Sequence, residues 1–181
     1  MSQQLPQGYW LREGGRHDRP QLLQFLKSSY RELFGDRDLS HLRQTVEQYW
    51  SPQTPVWWVE SPRDRSREGD RPDNAIVAGL WLGNALDQVT GDRYAHIFLV
   101  YVVETHRQRG IGSALIRHAE HWARQRGDRQ IGLQVFIDNP PALNLYRKLG
   151  YRSQSLWMLK PLDRPEASTP HPTDRSSQGD C

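Results

Sequence analysis

A chain of 181 residues, 25% charged and 36% hydrophobic, is about one domain, with enough apolar residues to bury its own core. No apolar run approaches the roughly 18 residues a membrane span needs. The opening MSQQLPQGYW also lacks the basic start and apolar stretch of a signal peptide, so the reading is a cytoplasmic protein with no membrane partner. A net charge of +3 is too small to argue for nucleic-acid binding, which is not expected, though it suits an anionic small ligand. The one cysteine, Cys181, rules out an internal disulfide or a cysteine metal cluster, and it reads as an incidental tail residue.

Along the chain, Tyr9–Arg12 reads as a first strand. Leu22, Leu23, Phe25 and Leu26 then recur at helical spacing, with Asp18 placed as a cap. Residues 39–50 give a second amphipathic helix, with Ser40 as cap and Leu42, Val46 and Tyr49 on one face. Pro55–Ser61 and Ala75–Leu82 are β-branched and aromatic, hence strands. Between them, residues 61–74 are charged and nearly free of apolar side chains, a long flexible loop. Tyr94–Val103 is apolar enough for a central strand covered on both faces.

A polar turn leads into a helix over about 108–126, with Ile111, Leu115, Ala119, Trp122 and Ala123 as its buried stripe and Gly127 as its stop. Ile131–Ile137 is another strand. Pro140 or Pro141 suits the first turn of a short helix that runs to Leu149 and stops at Gly150, and a last strand or hairpin is expected over about 151–160. Residues 163–181 are rich in Pro, Ser and Asp and read as a disordered tail, which leaves 1–162 as the folded domain. The order β-α-α-β-β-β-α-β-α-β implies an α/β fold, a mixed sheet with helices on both faces.

The informative segment is the central strand running into Arg107-Gln108-Arg109-Gly110-Ile111-Gly112 and a helix. Glycines there let the backbone approach an anion, and successive N–H groups point outward at the positive end of a helix dipole. Such a turn suits a pyrophosphate, to which Arg107 and Arg109 either add charge or stand solvated. Two glycines two apart are weak evidence alone in an Arg-rich chain. The segment is not a Walker loop, and the three-glycine dinucleotide fingerprint is absent.

In context, the segment resembles motif A of the GNAT N-acetyltransferase superfamily, Q/R-x-x-G-x-G/A after the central strand. Downstream, Asn139-Pro140-Pro141-Ala142-Leu143-Asn144-Leu145-Tyr146-Arg147-Lys148-Leu149-Gly150-Tyr151 resembles that family's second hallmark, N-x-x-A-x-x-L-Y-x-x-x-G-F/Y. The order of upstream elements agrees as well, so the resemblance spans roughly residues 8–160. It implies a GNAT fold, with a central mixed sheet of about six or seven strands and about four flanking helices. It also implies an acetyl-CoA-dependent N-acetyltransferase that uses acetyl-CoA as cosubstrate, needs no metal, and acts on a primary amine of a small molecule, peptide N-terminus or lysine. Homodimers are common in the family.

By the same resemblance, the backbone of Val100, Tyr101 and Val102 pairs with the pantetheine arm like an added strand, and an amide there polarises the acetyl carbonyl. The N–H groups of Gln108, Arg109, Gly110, Ile111, Gly112 and Ser113 hold the pyrophosphate. Asn139 matches a CoA-contacting asparagine, and Asn144 is a lesser candidate. Tyr146 matches the tyrosine that protonates the CoA thiolate, although its apolar neighbours Leu143, Leu145 and Leu149 also suit a core tyrosine.

The general base departs from familiar patterns. The glutamate used by the ribosomal-protein N-terminal acetyltransferase branch corresponds to Gln134, which cannot serve as a base. The glutamate of the histone-acetyltransferase branch corresponds to His96, which can. Glu104 and a water chain compete with it. Residues 28–41 are expected to shape acceptor specificity, and Glu32, Asp36 and Asp38 either attract a cationic amine or are simply solvated. Trp57, Trp58 and Trp81 read as core or sheet-surface aromatics, with acceptor-pocket lining as the alternative. His118 and His121 read as solvated helix residues rather than metal ligands. The competing function is a non-catalytic module that senses acyl-CoA or binds a protein partner; nucleic-acid binding lacks aromatics clustered in the basic segments.

Overall fold

The computed structural model describes residues 5–62 and 74–162. In chain order the elements are β1 (Trp10–Glu13), α1 (Arg19–Phe34), α2 (His41–Tyr49), β2 (Val56–Ser61), β3 (Ala75–Leu86), β4 (Arg93–Val102), α3 (Ile111–Gln125), β5 (Ile131–Leu133) and α4 (Pro140–Lys148). The sheet runs β1-β2-β3-β4-β5. Its first four strands are antiparallel, and β5 joins β4 in parallel after the α3 crossover.

Helices cover both faces. On one, α3 lays Ile111, Leu115, Ile116 and Ala119 against Leu80, Leu82 and Ile97, with Tyr146 of α4 and Leu149 just after it at the margin. On the other, Leu22, Phe25 and Leu26 of α1 and Leu42 and Val46 of α2 close over Trp58, Trp81 and Leu99. Neighbouring residues of β2 face opposite ways, so Trp57 serves the first core and Trp58 the second.

Several expectations are corrected. The described residues form five strands rather than six or seven. The predicted strand or hairpin over 151–160 is not formed: the unit that begins at Arg152 carries no regular structure over 152–162 and exposes Leu156, Trp157, Met158 and Leu159. A run of apolar and aromatic side chains such as Leu156–Leu159 confers strand propensity, but a strand also requires a backbone partner, which propensity does not supply. The strand predicted over Ile131–Ile137 is paired only over Ile131–Leu133, where β4 ceases to offer a partner edge in register.

Asp18 and Ser40 stand at the N-caps of α1 and α2 without capping through their side chains. Asp18 instead binds Arg12 at 3.0 Å and accepts from the Gly15 N–H at 2.6 Å, and the arginine holds its carboxyl below the usual range. The Ser40 N–H donates to the Asp38 carboxylate at 2.8 Å. The predicted 61–74 loop lies, for 63–73, outside the described residues, as does the tail from 163 onward. No helix among the described residues is long and apolar enough to cross a membrane.

Candidate active site

The pairing of β4 changes partway along its length. Trp81 of β3 faces Leu99 while Leu82 faces Ile97, so Phe98 is an extra residue, a β-bulge. Both Phe98 and Leu99 then lie on the α1/α2 face, and the bulge bends the strand. Pairing with β5 stops at the same place, with Ile97 opposite Leu133 as its last pair. From Phe98 to Val102 the edge of β4 turned away from β3 therefore carries no strand among the described residues, and β5 is correspondingly short.

Strand N–H and C=O groups alternate sides. The Val103 N–H donates to Val77 on β3 at 2.9 Å, so Tyr101 faces β3 as well, while Val100 and Val102 turn their amides to the open edge. Of the three residues expected to present backbone there, two do. Tyr101 does not, because its amide belongs to the β3 ladder.

Directly beyond lies the glycine turn. Gly110 is the N-cap of α3 at φ 84, a left-handed conformation that disfavours any Cβ. Gln108 shares that region at φ 59. The first intrahelical donor is Ala114, to Gly110 at 3.0 Å, which leaves the N–H groups of Ile111, Gly112 and Ser113 for an external acceptor. A Cβ on Gly112 would come 3.3 Å from Leu145, so this glycine also lets α3 and α4 approach each other.

The two arginines of the turn are exposed, yet their guanidinium groups are engaged by protein partners rather than turned on the free amides. Arg107 donates through Nε to the Val102 carbonyl at 2.9 Å and through Nη2 to Glu32 at 2.5 Å. Arg109 donates to the Tyr9 hydroxyl at 2.9 Å and the Thr105 carbonyl at 3.0 Å, and that hydroxyl lies 3.0 Å from His106 Nδ1. Nothing in the sequence signals Tyr9 or Glu32 as partners; each lies far away in sequence and only the fold brings it near.

Tyr146 lies partly buried in the α3-face core, 5.7 Å from the Tyr151 ring, and burial pushes its phenol up to about 12. Asn139 accepts the Ala142 N–H at 3.2 Å and so caps α4, while Asn144 is exposed on that helix. Gln134 is exposed just beyond β5. His96 lies in the paired part of β4 beside the Phe98 ring at 5.4 Å, with Nδ1 buried and unpartnered. Along the strand it stands about 13 Å from Val100.

Trp57, Trp58 and Trp81 are buried core residues. His121 is exposed, but His118 is not the solvated residue expected: it packs edge-on to Trp57 at 4.7 Å, because α3 presents it one turn from Leu115 and Trp122. Asp36 is exposed, whereas Glu32 is engaged by Arg107 and by the Tyr101 hydroxyl at 2.7 Å. Among the described residues no cluster of metal-ligating side chains occurs.

Burial pulls His96, His106 and His118 below the ordinary histidine value. The unfolded chain takes up protons near pH 6.5 and the folded chain resists them, so stability is lost as pH falls below that point. The thermal midpoint is expected to decline between about pH 6.5 and 5, before Asp18, Asp38 and Asp87, all held low, add their loss near pH 4. A flat midpoint across that first interval would mean the three rings accept protons in the folded chain.

An open strand edge leading into a glycine turn of a mixed sheet defines a protein with a backbone-lined cleft suited to an extended, anionic ligand. The Acetyltransferase (GNAT) family pattern matches residues 19–151, and the chain belongs to that family. It is 42% identical over 52 residues to a streptothricin acetyltransferase of Streptomyces lavendulae, covering 29% of this chain and 28% of that protein. It is 30% identical over 109 residues to a streptothricin acetyltransferase of Escherichia coli, covering 60% of each. The chain thus spans less than two thirds of either relative. Among solved structures, an acetyl transferase, by assignment, of Pyrococcus furiosus superposes with a TM-score of 0.65 at 28% identity, over 85% of this chain and 99% of that one. A predicted acetyltransferase of Clostridium acetobutylicum solved with acetyl-CoA shares the fold with a TM-score of 0.66 at 16% identity, over 84% and 96%.

Proposed function

We propose that the protein is an acetyl-CoA-dependent N-acetyltransferase that delivers the acetyl group to a primary amine of a small molecule, peptide N-terminus or lysine. The observation that carries this reading is the unpaired edge of β4 beyond the Phe98 bulge, continuous with the free amides at the start of α3. Val100 and Val102 bind the pantetheine arm by strand addition, and one of these amides polarises the thioester carbonyl. Ile111, Gly112 and Ser113 hold the diphosphate, with Gln108, Arg109 and Gly110 shaping the turn. Asn139, through the amide its capping role leaves over, and Asn144 flank the cofactor.

The amine attacks the carbonyl carbon and the C–S bond breaks. The departing thiolate takes the proton of Tyr146, and the ammonium proton leaves through His96 and water. Tyr146 lies with the α3-face core and His96 on the α1/α2 face in the paired stretch of β4, so in this reading water relays the proton to His96.

Gly110→Val, which forces a β-branched residue into φ 84, is expected to weaken acetyl-CoA binding about tenfold or more, whereas Gly110→Asn keeps most of it. Calorimetric titration of wild type and both variants tests the site, and an amine panel tests turnover. Wild type that binds no acyl-CoA would end the reading. Binding without turnover across the panel would favour a sensing module instead.

A further inference from the structure

A helix, a strand and the turn that follows it meet at one carboxylate. Glu32 of α1 accepts the Tyr101 hydroxyl of β4 on one oxygen, at 2.7 Å, and Arg107 Nη2 on the other, at 2.5 Å. The same guanidinium lies 5.7 Å above the Tyr101 ring and takes the Val102 carbonyl through Nε at 2.9 Å. That carbonyl belongs to the open edge of β4, and the residue after Arg107 is Gln108, held at φ 59. A non-glycine residue in that region persists where its surroundings over-determine it. Here the determinants are Arg107 on one side and Arg109, tied to Tyr9 and Thr105, on the other.

Glu32 and Arg107 are each about two-fifths exposed, at 42% and 40%. An ion pair so exposed adds little to global stability. Its geometry is nonetheless specific: the planar fork of arginine spans a strand-end carbonyl and a helix carboxylate at once, which a lysine ammonium cannot do. Glu32 also consumes the charge of Arg107, so a diphosphate at the turn does not meet a free cation there.

We propose that Arg107 is a positioning residue, locked by Glu32 and Tyr101, that ties α1 to the anion-binding turn and sets the turn's conformation. The lock rests on the acetyl-CoA reading above. Whatever displaces α1 at Glu32 then changes affinity at the turn, on the other face of the sheet, and by linkage acetyl-CoA holds α1 in place.

Simple electrostatics and the lock predict opposite signs for Glu32→Ala. Removing a carboxylate near an anion site and freeing Arg107 should tighten acetyl-CoA binding if charge alone matters. The lock predicts roughly threefold to tenfold weaker binding, with the midpoint of the ligand-free protein little changed. Arg107→Lys keeps the charge and loses the fork, so it should weaken binding to a similar extent, and Glu32→Gln should fall between Glu32→Ala and wild type. Titration calorimetry with acetyl-CoA on the full chain, beside a thermal scan without ligand, reads all of these. If wild type binds and Glu32→Ala binds equally or more tightly, or Arg107→Lys matches wild type, the lock is wrong. If wild type does not bind, the acetyl-CoA reading fails first and the lock falls with it.

Discussion

Tyr146→Phe is expected to bind acetyl-CoA with nearly wild-type affinity and to turn it over about a hundredfold or more slowly, the usual scale of general-acid loss. Phenylalanine keeps the ring that packs with Leu149 and Tyr151, so the fold and cofactor cleft are preserved. What is lost is one proton at the departing sulfur. Burial raises the Tyr146 phenol to about 12, which keeps it protonated at any working pH. The wild-type pH–rate profile should therefore show no alkaline limb from this group below about pH 11. A variant whose kcat stays within twofold of wild type on an accepted amine would reduce Tyr146 to a core residue, and bulk water would then protonate the thiolate.

Trp58→Ala is the change expected to cost most stability. The side chain is 0% exposed, meets Phe25 edge-on at 5.2 Å, and covers Gly79 so closely that a Cβ there would come 2.7 Å from its ring. Removing so large a buried ring is expected to cost about 3–5 kcal/mol, out of the 5–15 typical of a domain. That corresponds to roughly 6–20 °C in the midpoint for a chain of this size. Because Trp58 seats α1 on the sheet, the contact between Glu32 and Arg107 should loosen before global unfolding. Denaturant titration measures the loss, and a value under about 1 kcal/mol would mean that the site collapses around the alanine. Trp157→Ala, at a residue 74% exposed, serves as a control expected to move stability by no more than about 0.5 kcal/mol.

Much of the architecture was legible in local periodicity. Leu22, Phe25 and Leu26 recur at helical spacing and are buried as α1 requires, and Ile111, Leu115, Ala119 and Ala123 do the same for α3. Pro140 stands at the first position of α4, where a missing N–H costs nothing. The glycine turn was legible because glycine at 110 and 112 answers a backbone demand, and backbone demands are local. His118 was misread for the opposite reason: its environment depends on Trp57, which a different element supplies.

The sequence by itself thus determined the order of elements as far as α4, the main apolar stripes of α1 and α3 and the place where a chain of free amides begins, since each depends on residues within a few positions of one another. Only the tertiary structure decided where β5 stops pairing, which amides of β4 are open, and that Arg107 and Arg109 are bound by Glu32 and Tyr9. Those outcomes turn on one extra residue in a strand and on partners 75 and 100 positions away, and no local pattern carries information across such distances.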